Sequence, residues 1–472
     1  MKSLQRKHYG AVLLAALILV LSGAVSPALA LHPDLAMPET VEASHKACQE
    51  LLRLGKKYRV EGLFTKEFED GKSKCNRLDV ALAVQMLTEK MAEKAAAEGA
   101  AAVDRDDLLF LSDLKEELRG EMLLVQSRAF QSRYGALGTS FHALTKNITL
   151  SGGLVGVLQG SFGNRPKDHA DLVGRGDLVF NFKVAENTIA VVDVEATGGD
   201  GIDAHIPSFS QLNGVAGSTG DRVRFREAWL EHAAFDDRLI ITAGKIDLTN
   251  YFDENNVAND ENSQFLAGAF VNSAILGTPA IGPGIRLQAK LAEPLVFGFG
   301  YGSGNGDAAD FFDHGFGIVE LDCKHKIGEL EGNYRAYGSL DGAAADGVKK
   351  LSQKDAFGFG FSVDQQFTDN LTLFGRYGWH EDHAYPTKSA WSAGFQYTGL
   401  IPQRKDDFVA FGYGQVLGDS ASSQEKLLEG YYKAKISDQI AISPHFQFLI
   451  NPLGNKQTDD VFVMGLRTQI TF

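Results

Sequence analysis

Between Lys245 and Glu261 the chain crowds ionisable and amide side chains into one stretch: Lys245, Asp247, Asp253, Glu254, Asn259, Asp260 and Glu261, with Asn255 and Asn256 among them. Carboxylates and amides at this density can move protons, hold a cation, or offer alternating donors and acceptors to a hydrated solute. Covalent catalysis also needs a nucleophile with a base in reach. His232, His380, His383 and His445 are scattered over separate segments with no serine motif beside them. No Cys-x-x-Cys-His is present for haem, and no metal-ligand spacing joins Cys48, Cys75 and Cys323. The residues therefore point to solute contact without catalysis, cofactor or metal.

A second set of charges sits in segments of strict period two. Arg286 is followed by Gln288 and Lys290, Arg335 is preceded by Glu331 and Asn333, and Arg376 and Arg467 each alternate with apolar residues. The alternation is sharpest where Phe357, Phe359, Phe361 and Val363 interleave with Gly358, Gly360, Ser362 and Asp364, and at the chain end, where Phe462, Met464, Leu466, Ile470 and Phe472 share one face. Sixteen such segments lie between 148 and 472, most of them the nine to twelve residues a tilted strand needs to cross a membrane. Tight connections such as Asp236-Asp237 and Ser437-Asp438 alternate with long ones such as 198–222 and 247–283.

A soluble sandwich would bury the aromatic face. A membrane barrel turns it to lipid and keeps the polar face on a watery lumen. The expected fold is an all-β transmembrane barrel of about sixteen antiparallel strands over residues 135–472, with outer-membrane lipid around it. One segment conflicts: in 223–235, Arg224 and Arg226 share one phase while Glu227, Trp229 and Glu231 take the other, which calls for a bulge. The 247–283 loop carries apolar residues that must pack somewhere, so it is expected to fold into the pore as a constriction. Arg286, Arg335, Arg376 and Arg467 are expected to face it. Charges of both signs on the wall argue against strong ion selectivity.

Ahead of the barrel the texture changes. Residues 1–30 read as a leader peptide: Lys2, Arg6 and Lys7, then the apolar run from Ala11 to Leu21, then Ala28-Leu29-Ala30. The export this implies makes the chain more acidic than its formal −14, which gives nucleic acid no purchase. No later run is long and apolar enough for a membrane helix. Residues 31–104 carry two helical patterns, 42–54 and 77–97, around a loop at 64–73, an expected periplasmic helical domain. Cys48 and Cys75 lie one on each side; a disulfide between them would close about 27 residues and stabilise by roughly 3 kcal/mol, the alternative being two buried thiols. In 105–134, Leu111, Leu114, Leu118, Met122 and Val125 recur every three or four residues. They form either a short coiled-coil stalk favouring a homo-oligomer, a trimer being one option, or one amphipathic helix packed on its own domain.

Two resemblances emerge. The Gly244-Lys245-x-Asp247 run, Phe252-Asp253-x-Asn255, Ala258-Asn259-Asp260-Glu261, Gln264-Phe265-Leu266, Trp229-Leu230-Glu231 and the ending Gly465-Leu466-Arg467 to Phe472 resemble the carbohydrate-selective porin (OprB) family over roughly 135–472. That implies an outer-membrane porin passing small sugars or other hydrophilic solutes, with Phe472 as the assembly signal. The segment Tyr58-Arg59-Val60, Phe64, Phe68, Asp70-Gly71 and Asn76-Arg77-Leu78-Asp79 resembles an S-layer homology module. This implies a hold on cell-wall polymer or peptidoglycan through residues 45–90, with Arg77 and Asp79 as contacts; Cys75-Asn76 departs from the Ser or Thr usual there. Capping of the second helix is the other role open to Arg77 and Asp79. A channel and a structural tether between outer membrane and wall thus stand side by side.

Overall fold

The computed structural model describes residues 37–472 apart from 39, 61, 99–101, 127–141, 146–147, 164–167, 186, 217–220, 278–280, 293, 310, 313–314, 343–354 and 382–384. The expected leader and the end of the expected stalk lie outside the described residues. From 148 onward sixteen strands follow one another: β1 (Ile148–Phe162), β2 (Ala170–Ala185), β3 (Thr188–Gly198), β4 (Arg222–Ala234), β5 (Leu239–Ile246), β6 (Gly282–Ala292), β7 (Leu295–Ser303) and β8 (Gly315–Ile327). Then come β9 (Leu330–Asp341), β10 (Ala356–Gln366), β11 (Leu371–His380), β12 (Thr387–Thr398), β13 (Phe408–Gly418), β14 (Gln424–Lys435), β15 (Ile440–Ile450) and β16 (Val461–Thr471). Each pairs antiparallel with the next, and β16 pairs with β1 from Phe462 opposite Phe162 to Thr471 opposite Gly153, closing a barrel. A short strand, His142–Thr145, runs on past the end of β16 beside the start of β1.

The period-two pattern explains which face is which. On β10 Phe357 and Phe361 are exposed while Ser362 and Asp364, in the opposite phase, are buried in the lumen; on β16 Phe462, Met464, Leu466 and Ile470 are exposed while Arg467 and Gln469 are buried. An apolar belt of this kind is untenable in water and correct against lipid. Closure leaves no strand edge for lipid to strand. Phe472 exchanges both backbone hydrogen bonds with Gly152 at 3.1 Å, and its ring occupies the space where a Cβ on Gly152 would sit.

The expected bulge is in β4. Asp193 opposes Glu227, but Val194 opposes Phe225, so Arg226 is the extra residue. It resets the phase and lets Arg224, Arg226 and Glu227 all turn inward.

Among the described residues the helical domain has five helices, α1 (Lys46–Tyr58), α2 (Lys66–Glu69), α3 (Arg77–Glu98), α4 (Arg105–Glu117) and α5 (Arg119–Gln126), with α2 inside the stretch expected to be loop. The stalk expectation is corrected. The helix breaks at Leu118, whose φ of −105° and ψ of 21° are not helical, and Leu111, Leu114, Leu118, Met122 and Val125 are buried in the same apolar cluster as Leu51, Leu54, Leu78 and Leu87. Their stripe is covered within the chain, by its own domain and by apolar residues of the barrel wall.

Arg77 is likewise engaged inside the domain. Its guanidinium donates to the Glu117 carbonyl (2.7 Å), the Glu117 carboxylate (2.8 Å), the Glu121 carboxylate (2.7 Å) and the Met37 carbonyl (2.9 Å), pinning α3 to the α4–α5 break. Asp79 accepts from the Asn76 amide at 2.8 Å while the Asn76 side chain accepts from the Asp79 amide at 2.9 Å, a reciprocal helix cap. Cys48 and Cys75 do come together, but as buried free thiols sharing a hydrogen bond rather than as a disulfide.

Candidate functional site: a loop clamped inside the barrel

The 247–281 segment turns into the lumen at Asp247. Its carboxylate accepts from the Thr249 amide (3.1 Å) and hydroxyl (2.6 Å), capping the turn Leu248–Asn250. Three phenylalanines then key the loop to the wall. A Cβ on Gly300 would meet the Phe252 ring at 2.6 Å, and one on Gly412 would meet Phe265 and Phe270 at 3.1 Å. Glycines on the inner faces of β7 and β13 therefore make room for rings delivered by a loop far away in sequence, where a lumen side chain would block them.

A loop buried in a barrel must still satisfy its backbone amides and carbonyls. The inward charges do this. Arg376 donates to the carbonyls of Phe270 (2.6 Å) and Asp253 (2.8 Å) and pairs with the Asp253 carboxylate at 3.3 Å. Arg335 donates to the Glu254 carbonyl at 3.0 Å and pairs with Asp364 at 3.2 Å. Arg467 donates to the carbonyls of Glu261 (2.9 Å) and Gln264 (2.7 Å). From the other side Glu320 accepts from the Asp253 amide at 2.7 Å, and Glu429 from those of Leu266 (2.6 Å) and Ala267 (3.0 Å). Charge-assisted bonds of this kind are about twice as strong as neutral ones. A second inserted segment, 201–216, is held alike: Glu425 accepts from Phe209 and Ser210, and Asp203 from Leu212 and Asn213. Burial pushes the Asp203 carboxyl up to about 6 against the pull of those two amides.

Between the inserted loops and the β2–β4 wall lies a cavity of about 350 Å³. Arg175 and Arg226 line it from the wall, and Asp247, Asn250, Asn259, Asp260, Glu261 and Asn262 from the loop. Arg175 meets Glu261 at 2.8 Å and Glu195 at 3.3 Å; Arg226 meets Asp247 and Glu227, each at 2.7 Å; Arg224 meets Glu195 at 2.7 Å. The opening thus presents guanidinium donors on one side and carboxylates and amides on the other. Such a rim exchanges hydrogen bonds with hydroxyls and imposes no single sign of charge.

The residues singled out from sequence divide three ways. Asp247, Asn259, Asp260 and Glu261 do line the opening. Asp253, Glu254, Arg335, Arg376 and Arg467 serve instead to hold the loop, as does Arg286, which pairs with Glu231 at 3.4 Å and lays its guanidinium 4.6 Å over the Tyr251 ring. Lys245 is out of phase with the inward Thr242 and donates to the Phe225 carbonyl at 2.7 Å, away from the lumen. Arg175 was missed because the strand pattern reads clearly only from 176, though Val173, Arg175 and Asp177 already share one phase. Arg224 and Arg226 were obscured by the bulge.

Residues 163–472, more than half of the chain, match the family described as carbohydrate-selective porin, OprB family. Among curated proteins, one from Aquifex aeolicus (strain VF5), described as uncharacterized, is 27% identical over 234 residues, which is 49% of this chain and 64% of that protein, so the match spans less than two thirds of its length. Among solved structures, the high-pH structure of Pseudomonas putida OprB superposes with a TM-score of 0.61 at 16% identity, covering 69% of this chain and 94% of that one. The low-pH structure of the same protein gives 0.49 at 15%. At such identity the likeness speaks for the fold, and the sequence match over the barrel for the family: the chain belongs to the carbohydrate-selective porin, OprB family.

Proposed function

We propose that this chain is an outer-membrane channel through which small hydrophilic solutes, carbohydrates foremost, diffuse passively. The observation that carries it is the lining of the 350 Å³ opening, where the ion pairs Arg175–Glu261 and Arg226–Asp247 stand beside Asn250, Asn259 and Asn262. Alternating donors and acceptors at that spacing suit a polyhydroxylated neutral solute better than a single ion. Family membership supports the same substrate class. The rival reading, a tether to wall polymer through residues 45–90, draws less support, because the side chains of its two named contacts, Arg77 and Asp79, make hydrogen bonds inside the helical domain.

The test is single-channel conductance of the refolded protein in a planar bilayer with maltose or glucose titrated in. Saturable reduction of the current by sugar supports the reading. Discrete steps indifferent to sugar would keep the channel and remove carbohydrate as its solute.

A further inference from the structure

We propose that the helical domain is a plug for its own barrel: α5 stands across the short-turn mouth below the opening, and its release sets how freely solute leaves. The proposal rests on the channel reading above.

The inward phase of β2 runs from Arg175, at the opening, through Val179 to Lys183 at the mouth, about 27 Å along one strand. There Lys183 meets Glu121 of α5 at 3.4 Å. A Cβ on Gly120 would lie 2.7 Å from the Lys183 side chain, so glycine at that position lets the helix and the lysine stem pack together without the stem moving aside. On the rim, Arg119 meets Asp237, in the turn between β4 and β5, at 3.5 Å.

The wall itself gives an independent argument. Val179, Ile189, Val191, Trp229 and Ala233 share the inward phase of Asp193, Glu195 and Glu227, yet they are apolar. On an open aqueous lumen they would be wet. Instead they are buried in one continuous cluster with Leu114, Leu118, Met122 and Val125 of the helical domain. An apolar centre ringed by partly exposed ion pairs is the anatomy of a docking interface, and interfaces between domains of one chain commonly open and close. This one lies under the wall that forms the opening, on the route of a solute passing Arg175 and Arg226.

The test uses the full chain and alters the wall alone. Lys183→Glu with Ile189→Glu sets one carboxylate against Glu121 and buries another in the docked state, while both would face water once the domain leaves; this shifts the balance toward release by on the order of a hundredfold. The readout is swelling of proteoliposomes in a neutral sugar, which the added charges do not themselves attract. The expected result is a rise of at least about threefold over wild type. A second variant, Arg119→Cys with Asp237→Cys in a Cys323→Ser background, is closed with a reductant-cleavable bismaleimide; swelling is expected to fall on cross-linking and recover on reduction. Wild-type swelling rates in the Glu variant, the cross-linked form and the reduced form alike would overturn the plug while leaving the channel standing. No swelling in any form, the released ones included, would instead sink the channel reading and the plug with it.

Discussion

Arg175 on the barrel wall and Glu261 on the inserted loop meet at 2.8 Å, tying together two sides of the opening along β2–β4. The Arg175 side chain is buried, but the Glu261 carboxylate side chain keeps 19% of its surface exposed. Removing the Glu261 charge should therefore change permeation before it changes folding. Glu261→Gln is expected to move the reversal potential in a salt gradient toward anion preference, and Arg175→Gln toward cation preference. Equal shifts of the same sign in both would show that the pair does not bound the current path.

Much of this was legible in the sequence, and the division is physical. Strand number, lipid-facing phase, the bulge near Arg226 and the inward fold of 247–283 follow from local patterns, because lipid enforces alternation residue by residue. The role of an inward arginine does not. Whether Arg376 faces water or a carbonyl depends on Phe270, 106 residues away, and nothing in the phase of β11 encodes that. Leu111 to Val125 gave a true amphipathic stripe, but the stripe cannot say whether a partner chain or α3 covers it. The Arg77 position was recognisable by resemblance, and the partners that occupy it, Glu117 and Glu121, lie some forty residues on.

Arg376→Met should uncouple the loop from the wall. Asp253 is fully buried, and the variant leaves its carboxylate beside a thioether in place of a guanidinium. Breaking a buried pair in this way costs about 3–5 kcal/mol. The barrel is expected to assemble, with the 247–281 loop newly open to trypsin and with noisy current; intact loop and quiet current would contradict the clamp.

The glycines make a matched comparison. Gly412→Val, on the inner face, drives into Phe265 and Phe270 and should destabilise by roughly 1–3 kcal/mol while disturbing the loop. Gly174→Ala, on the outer face, meets nothing within 4 Å and should refold and conduct as wild type. Urea unfolding in detergent with conductance alongside distinguishes the two.

Acid should loosen the helical domain through Asp107. Burial would push its carboxyl up, but hydrogen bonds from Lys57, Tyr58 (2.7 Å) and Arg53 (2.7 Å) outweigh it and hold the group below the usual range. A depressed acid contributes stability that is complete above its unfolded value, about 3.9, and is lost as pH falls through the lower folded value. Amide protection in α1 and α4, taken relative to the intrinsic exchange rate at each pH, should therefore be flat from neutrality to about pH 4 and fall below it. Asp107→Asn should speed exchange at neutral pH, at a cost of about 1–3 kcal/mol, and flatten the acid limb. An unchanged acid limb in that variant would assign it to another group.

The location of the current path is tested most directly by thiol modification. Glu261→Cys in a Cys323→Ser background places a thiol in the opening, and Lys245→Cys in the same background places one outside the lumen. Addition of a charged, water-soluble methanethiosulfonate to single channels in a bilayer is expected to cut the conductance of the Glu261→Cys channel in discrete steps and to leave the Lys245→Cys channel unchanged. Undiminished current through a Glu261→Cys channel shown by mass to be fully modified would place the path elsewhere and contradict the account.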